Sequence, residues 1–117
     1  LTCAAANAST RYIIDNNIPA HAGLMGEYLR KGLYHLKENH SCIADVRGVG
    51  LLNAVEFDSG VAPIVVATSN EFGLLLNAIP PDKIRLMPPL TVTESEIDNA
   101  LAILDESLSQ IVQETLK

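Results

Sequence analysis

The chain has 117 residues, 48% of them hydrophobic and 19% charged, a composition that fits one folded domain and excludes a disordered segment. A formal net charge of −6 argues against nucleic acid or an anionic membrane surface as a partner. Apolar runs such as 61–67 and 73–76 are too short to span a bilayer, and the amino end lacks the basic-then-apolar order of a signal peptide.

In chain order, residues 2–16 read as a helix of alanines followed by Tyr12, Ile13 and Ile14. The opening Leu1-Thr2-Cys3-Ala4-Ala5-Ala6-Asn7-Ala8 is already helix-forming, with no initiating Met, so we expect a piece of a longer protein. Asn17 is the expected cap of a second helix, with Pro19 just inside its start, running to about Asn39. Ala22, Met25, Leu29, Leu33 and Leu36 form its buried stripe. Gly23, Gly26 and Gly32 lower its intrinsic propensity, so packing must hold it.

The period then changes. Ile43–Arg47 and Leu51–Phe57 read as two strands joined through Gly48-Val49-Gly50, and Asp58-Ser59-Gly60 as a turn. Residues 61–72 read as a short helix with Gly73 as its carboxy-terminal cap. Leu74–Ile79 is the third expected strand, Pro80-Pro81-Asp82 a turn, and Lys83–Met87 the fourth strand. Pro88-Pro89 stops that strand. Thr93 and Glu96 form a capping box, with Val92 stapling onto Ile97. The last helix is expected from Glu94 to about Leu116. Its inner face is Ile97, Leu101, Leu104, Leu108, Ile111 and Val112, packed on the sheet; Asp98, Asp105, Glu106 and Gln113 face water. The order α-α-β-β-α-β-β-α predicts an α+β domain with a small, largely antiparallel sheet covered by helices on one face.

Candidate chemistry is sparse. Gly48-Val49-Gly50 lacks a third glycine and a following helix, so it reads as a hairpin turn and not as a phosphate loop. Cys3 and Cys42 share no metal-ligand spacing with each other or with His21, His35 and His40, and read as reduced, structural thiols of a cytoplasmic protein. His35 and His40, near the end of the second helix, are expected at the surface. His40, Ser41 and Cys42 are neighbours in sequence, which does not make a nucleophile–base pair. Arg47 and Arg85 lie on expected strands. Arg85 sits between Ile84 and Leu86 and so faces away from them, at a rigid strand end. Such a guanidinium suits a carboxylate clamp, and it also suits a solvated sheet face.

At these residues the chain resembles a known family. Residues 45–57, Asp-Val-Arg-Gly-Val-Gly-Leu-Leu-Asn-Ala-Val-Glu-Phe, are similar to the VRGxGLxxxxE strand pair of the class III aminotransferases, which depend on pyridoxal 5'-phosphate (PLP). Residues 73–78 and 84–98 resemble the closing segment of the acetylornithine type, and Leu1–Ala6 the helix after its GGNP segment.

The resemblance implies a fold-type I transaminase, with residues 1–117 as the single carboxy-terminal small domain and a mobile wall of the active site. It implies amino transfer between N-acetylornithine, or a similar amine, and 2-oxoglutarate in arginine biosynthesis, by a homodimeric parent acting on amino-acid and 2-oxo-acid substrates. Ornithine, succinylornithine and 4-aminobutyrate transaminases share the resemblance, and an amino-acid-binding regulatory or interaction module stands as the reading from another class. By the same similarity Arg85 matches the arginine that binds the substrate α-carboxylate, and Arg47 a structural motif arginine. The cofactor lysine, the aspartate on the pyridine nitrogen and the phosphate loop lie upstream of such a segment. None of Lys31, Lys37, Lys83 and Lys117 has the context of a cofactor lysine, so the chain is expected to be inactive alone.

Overall fold

The computed structural model describes residues 1–115, with side chains through Ile111. Four helices and four strands follow in the expected order: α1 Thr2–Asp15, α2 Ile18–Asn39, β1 Ile43–Val49, β2 Leu52–Phe57, α3 Ala62–Glu71, β3 Asn77–Ile79, β4 Lys83–Leu86 and α4 Glu94–Thr115. The strands form one antiparallel sheet in the order β1-β2-β4-β3. This is the α+β architecture the sequence predicts.

One sheet face carries the core. Val46, Val55 and Ile84 alternate inward from β1, β2 and β4 and meet Leu29, Leu33 and Leu36 of α2. Alternation along each strand sends the charged residues to the other face. α2 lies on β1 and β2, and α3 on β3 and β4. α4 packs on α2 and α3 and not mainly on the sheet as expected, yet Ile97, Leu104 and Leu108 still enter the same core. Leu101 is only partly buried, with its side chain lying over Gly32 on α2. The expected places of Val112, Gln113, Leu116 and Lys117 fall outside the described side chains.

The glycines of α2 explain how packing offsets their low propensity. A Cβ on Gly26 would overlap the backbone of Gly50, and one on Gly32 would overlap Leu101. Gly50 itself turns the β1–β2 hairpin at φ +53°, a conformation that favours glycine. The turn is Gly50-Leu51, one step later than expected. Gly48 and Val49 stay in β1 because Gly48 pairs with Asn53, and Leu51 is buried under the turn. Arg30 donates to the Gly50 carbonyl (3.0 Å) and to Asn53 Oδ1 (3.3 Å), while Asn53 Nδ2 donates to the same carbonyl (3.1 Å).

Two expectations at helix ends are resolved differently. Asn17 occupies the cap position of α2 with φ 48° but makes no side-chain cap bond. At the end of α3, Gly73 (φ +88°) donates to Asn70 and Leu74 to Ser69, the paired bonds of a Schellman ending. That ending steers Leu74–Leu76 past the sheet edge unpaired, so β3 holds three residues where six were expected.

The outer carbonyls of β1 are met from α2. Lys37 Nζ donates to Ala44 O (2.6 Å) and the Tyr34 hydroxyl to Val46 O (3.0 Å). α1 buries none of its residues and packs mainly on α2, leaving Leu1, Tyr12 and Ile14 exposed. Among the described residues no helix is long and apolar enough to cross a membrane.

Candidate functional site

β4 positions the candidate clamp. Ile84 and Leu86 are buried, which turns Arg85 to the open sheet face. Its register neighbours are Ala54 on β2 and Asn77 on β3, and Ala54 in turn pairs with Arg47 on β1. The two arginines singled out from sequence therefore share one row across the sheet, with a methyl group between them.

They are held very differently. Arg47 is bound on both sides, by Asp45 (3.3 Å) and by Glu56. Glu56 also takes Lys83 (3.3 Å), and Lys83 takes Asp82 (2.9 Å). Hydrogen bonding to Lys83 holds the Asp82 carboxyl below its ordinary range, and the same bond raises Lys83. Arg85 is exposed and, among the described residues, makes no hydrogen bond or ion pair.

Beside Arg85 a groove of about 360 Å³ opens between residues 74–76, the Met87-Pro88-Pro89 exit and the start of α4. Its walls are apolar. The one carboxylate lining it, Glu96, is already engaged: Thr93 donates to it from the backbone N–H and from the hydroxyl, each at 2.8 Å. Those bonds hold the Glu96 carboxyl below its ordinary range. Glu96 N–H returns a bond to Thr93 Oγ1 (3.3 Å), completing the expected capping box, with Val92 and Ile97 both buried behind it. Val92 N–H bonds Pro89 O (3.0 Å) and fixes the diproline exit. The capping box thus occupies the one acid that lines the groove with the free guanidinium.

The remaining sequence candidates do not converge. Gly48-Val49-Gly50 is hairpin and hairpin turn. His40 is buried, contrary to the surface expectation. It ends α2 beneath α4, where its Nε2 meets Asp105 Oδ1 at 2.5 Å, so Asp105 does not simply face water. His35 is exposed. Burial pushes the Cys42 thiol up, away from the thiolate a nucleophile needs. Cys3 is exposed and both thiols are free. Sequence reasoning missed the apolar residues that line the groove with Arg85, among them Met87 and Leu75, because the irregular segments 74–76 and 87–89 carry no periodic signal of where they lie.

A family model described as aminotransferase class-III matches residues 1–108. The chain is 39% identical over 111 residues to an acetylornithine aminotransferase of Caldanaerobacter subterraneus subsp. tengcongensis, covering 95% of the chain and 28% of that protein. It is 33% identical to ethanolamine-phosphate phospho-lyase homolog 1 of Caenorhabditis elegans, over 93% of the chain and 26% of that protein. The crystal structure of acetylornithine aminotransferase from Elizabethkingia anophelis superposes with a TM-score of 0.86 at 31% identity, over 92% of the chain and 28% of that structure. The chain thus spans little more than a quarter of the relatives it matches.

Proposed function

We propose, since this chain belongs to the class III aminotransferase family, that it is the carboxy-terminal small domain of a fold-type I transaminase of the acetylornithine type, in which Arg85 binds the substrate carboxylate. The parent would move an amino group between N-acetylornithine or a similar amine and 2-oxoglutarate, as a cytoplasmic homodimer of arginine biosynthesis.

One contrast carries the reading. Of two arginines in the same row, Arg47 is bound by Asp45 and Glu56, whereas Arg85 is exposed and unpaired among the described residues. A clamp must keep its fork free for the ligand, and a planar guanidinium then takes a carboxylate through two parallel bonds. The groove beside it is lined mainly by apolar side chains, which can pack on the rest of a ligand whose carboxylate Arg85 holds.

The family is PLP-dependent, and PLP supplies the electron sink of transamination. The described residues of this chain do not fit as its holder. Lys37 is engaged with Ala44 O, Lys83 with Asp82 and Glu56, and Lys31 lies exposed on α2. Lys117 is outside the described residues. In this reading the cofactor is held elsewhere in the parent, and the chain contributes substrate recognition.

The test is Arg85→Lys in the full-length enzyme, which keeps the charge and removes the fork. We expect kcat/KM for the amino-acid substrate to fall by about 1–3 kcal/mol of transition-state stabilisation, the range of charge-assisted hydrogen bonds. Arg47→Lys should leave it within a few fold. An unchanged kcat/KM in Arg85→Lys would remove Arg85 from the site.

A further inference from the structure

Glu56 stands at the centre of the charges on the open sheet face. It pairs with Asp45 on β1 and with Lys83 on β4, and on both strands an arginine lies two residues further along: Arg47 beyond Asp45, Arg85 beyond Lys83. Diagonal neighbours of that kind are within reach of long side chains in an antiparallel sheet. Glu56 takes the first arginine and leaves the second. Its Oε2 binds Arg47, whereas Arg85 makes no hydrogen bond or ion pair among the described residues.

What separates the two arginines is Lys83. Its Nζ reaches Glu56 Oε1 at 3.3 Å and Asp82 Oδ1 at 2.9 Å, so both oxygens of Glu56 are engaged without Arg85. The other strand positions flanking Arg85 are neutral: Ala54 and Asn77 pair with it, and Leu52 and Ile79 lie two residues from those partners. Glu96, the acid of the groove, is held by Thr93. Glu56 is therefore the acid of the flanking strands that could close on the fork. It is only 27% exposed, so a carboxylate deprived of one cation there has little water to turn to.

We infer that Lys83 is a positioning residue for Arg85: by holding Glu56, it keeps the guanidinium of the candidate clamp open to a substrate carboxylate. The inference rests on the reading of Arg85 as that clamp. Without the ammonium of Lys83, the three carboxylates of Asp45, Glu56 and Asp82 are left to one arginine, which draws the free guanidinium of Arg85 towards them. Arg47 does not make up the loss, because its Nη1 is already on Asp45 (3.3 Å). Glu56 then swings along its diagonal to Arg85, and a substrate must displace an internal carboxylate before it binds. The fraction of enzyme with a free fork falls, and the apparent affinity falls with it.

The test is Lys83→Met in the full-length enzyme, beside Lys83→Arg and the double variant Lys83→Met/Glu56→Gln. In Lys83→Met, phenylglyoxal should modify Arg85 more slowly in the absence of substrate. KM for the amino-acid substrate should rise about fivefold, the scale of an exposed ion pair. The value of kcat should stay near that of the parent, since saturating substrate displaces Glu56 from the fork. Lys83→Arg should behave as the parent, and the added Glu56→Gln should restore both readouts by removing the competing carboxylate. A merely structural lysine would not be rescued by a second substitution in its own ion pair. Should Lys83→Met fold poorly, Lys83→Gln makes the same comparison. Unaltered modification of Arg85 in the single variant, or a loss that Glu56→Gln does not reverse, would overturn the role of Lys83. Slower modification that Glu56→Gln reverses, with KM unchanged throughout, would instead remove Arg85 as the clamp and leave Lys83 as the residue that keeps Glu56 from it.

Discussion

Gly26 of α2 meets Gly50 of the hairpin turn backbone to backbone, so closely that a Cβ on Gly26 would overlap the Gly50 carbonyl. That contact sets the height of α2 over β1 and β2, and Arg30, one turn along, ties the same carbonyl down.

Gly26→Ala should therefore destabilise the domain, although alanine is the better helix former. Backbone atoms at a turn cannot rotate aside, and overpacking of this kind costs about 1–3 kcal/mol. Gly23, three residues earlier, has open space where a methyl group would stand, with nothing within 4 Å. There the substitution should stabilise by up to about 1 kcal/mol through propensity alone. Urea unfolding of the two variants should give opposite signs; a stabilised Gly26→Ala would remove the contact from the account.

Leu104 is fully buried between α2 and α3, and Leu104→Ala should lower unfolding free energy by about 2–5 kcal/mol. Leu101→Ala should cost less, because Leu101 is only partly buried over Gly32. Equal losses in calorimetry would contradict the difference in burial between Leu104 and Leu101.

The capping box predicts an acid sensitivity. Thr93 bonds hold Glu96 below its ordinary range, so the ionised carboxylate stabilises the fold. This contribution is fully present above the carboxylate's unfolded pKa and is lost as pH falls through the lowered folded value. Thr93→Ala should cost about 1 kcal/mol at neutral pH, and the difference from the parent chain should shrink in acid. A loss constant with pH would mean that Glu96 plays no part.

Asp105→Ala removes the partner of a buried imidazole and should cost about 1–3 kcal/mol, the penalty of an unsatisfied buried polar group. Asp105→Asn keeps an acceptor and should recover part of it. Thermal unfolding of both variants reads the comparison, and a neutral Asp105→Ala would show that His40 finds water instead.

How far the sequence carried depends on how local each feature is. The stripe of α2, the box at Thr93 and Glu96 and the outward turn of Arg85 follow from spacings of two to four residues, and the structure has all three. The His40–Asp105 bond joins residues 65 apart, so nothing near His40 announces it. β3 is short because the Schellman ending at Gly73 redirects the chain, an outcome of φ and not of the apolar run that follows. The row of Arg47, Ala54, Arg85 and Asn77 was invisible for a third reason. Ala54 and Arg85 become neighbours only because β4 inserts between β2 and β3, which no local pattern specifies. What distinguishes Arg85 from Arg47 lies likewise in the pairing of Glu56 across strands.

The bonds from Lys37 and Tyr34 to the outer carbonyls of β1 have a consequence for self-recognition between chains. A strand at the margin of a sheet is a template on which a foreign strand can add, and unbonded carbonyls are half of that template. Here α2 occupies two of them, at Ala44 and Val46, with an ammonium and a phenol, which hinders extension of the longest strand of the sheet. The other margin is β3, whose three residues offer too short a ladder to recruit another chain. The domain can thus keep an uncovered sheet face for its own purposes without inviting edge-to-edge growth into fibrils.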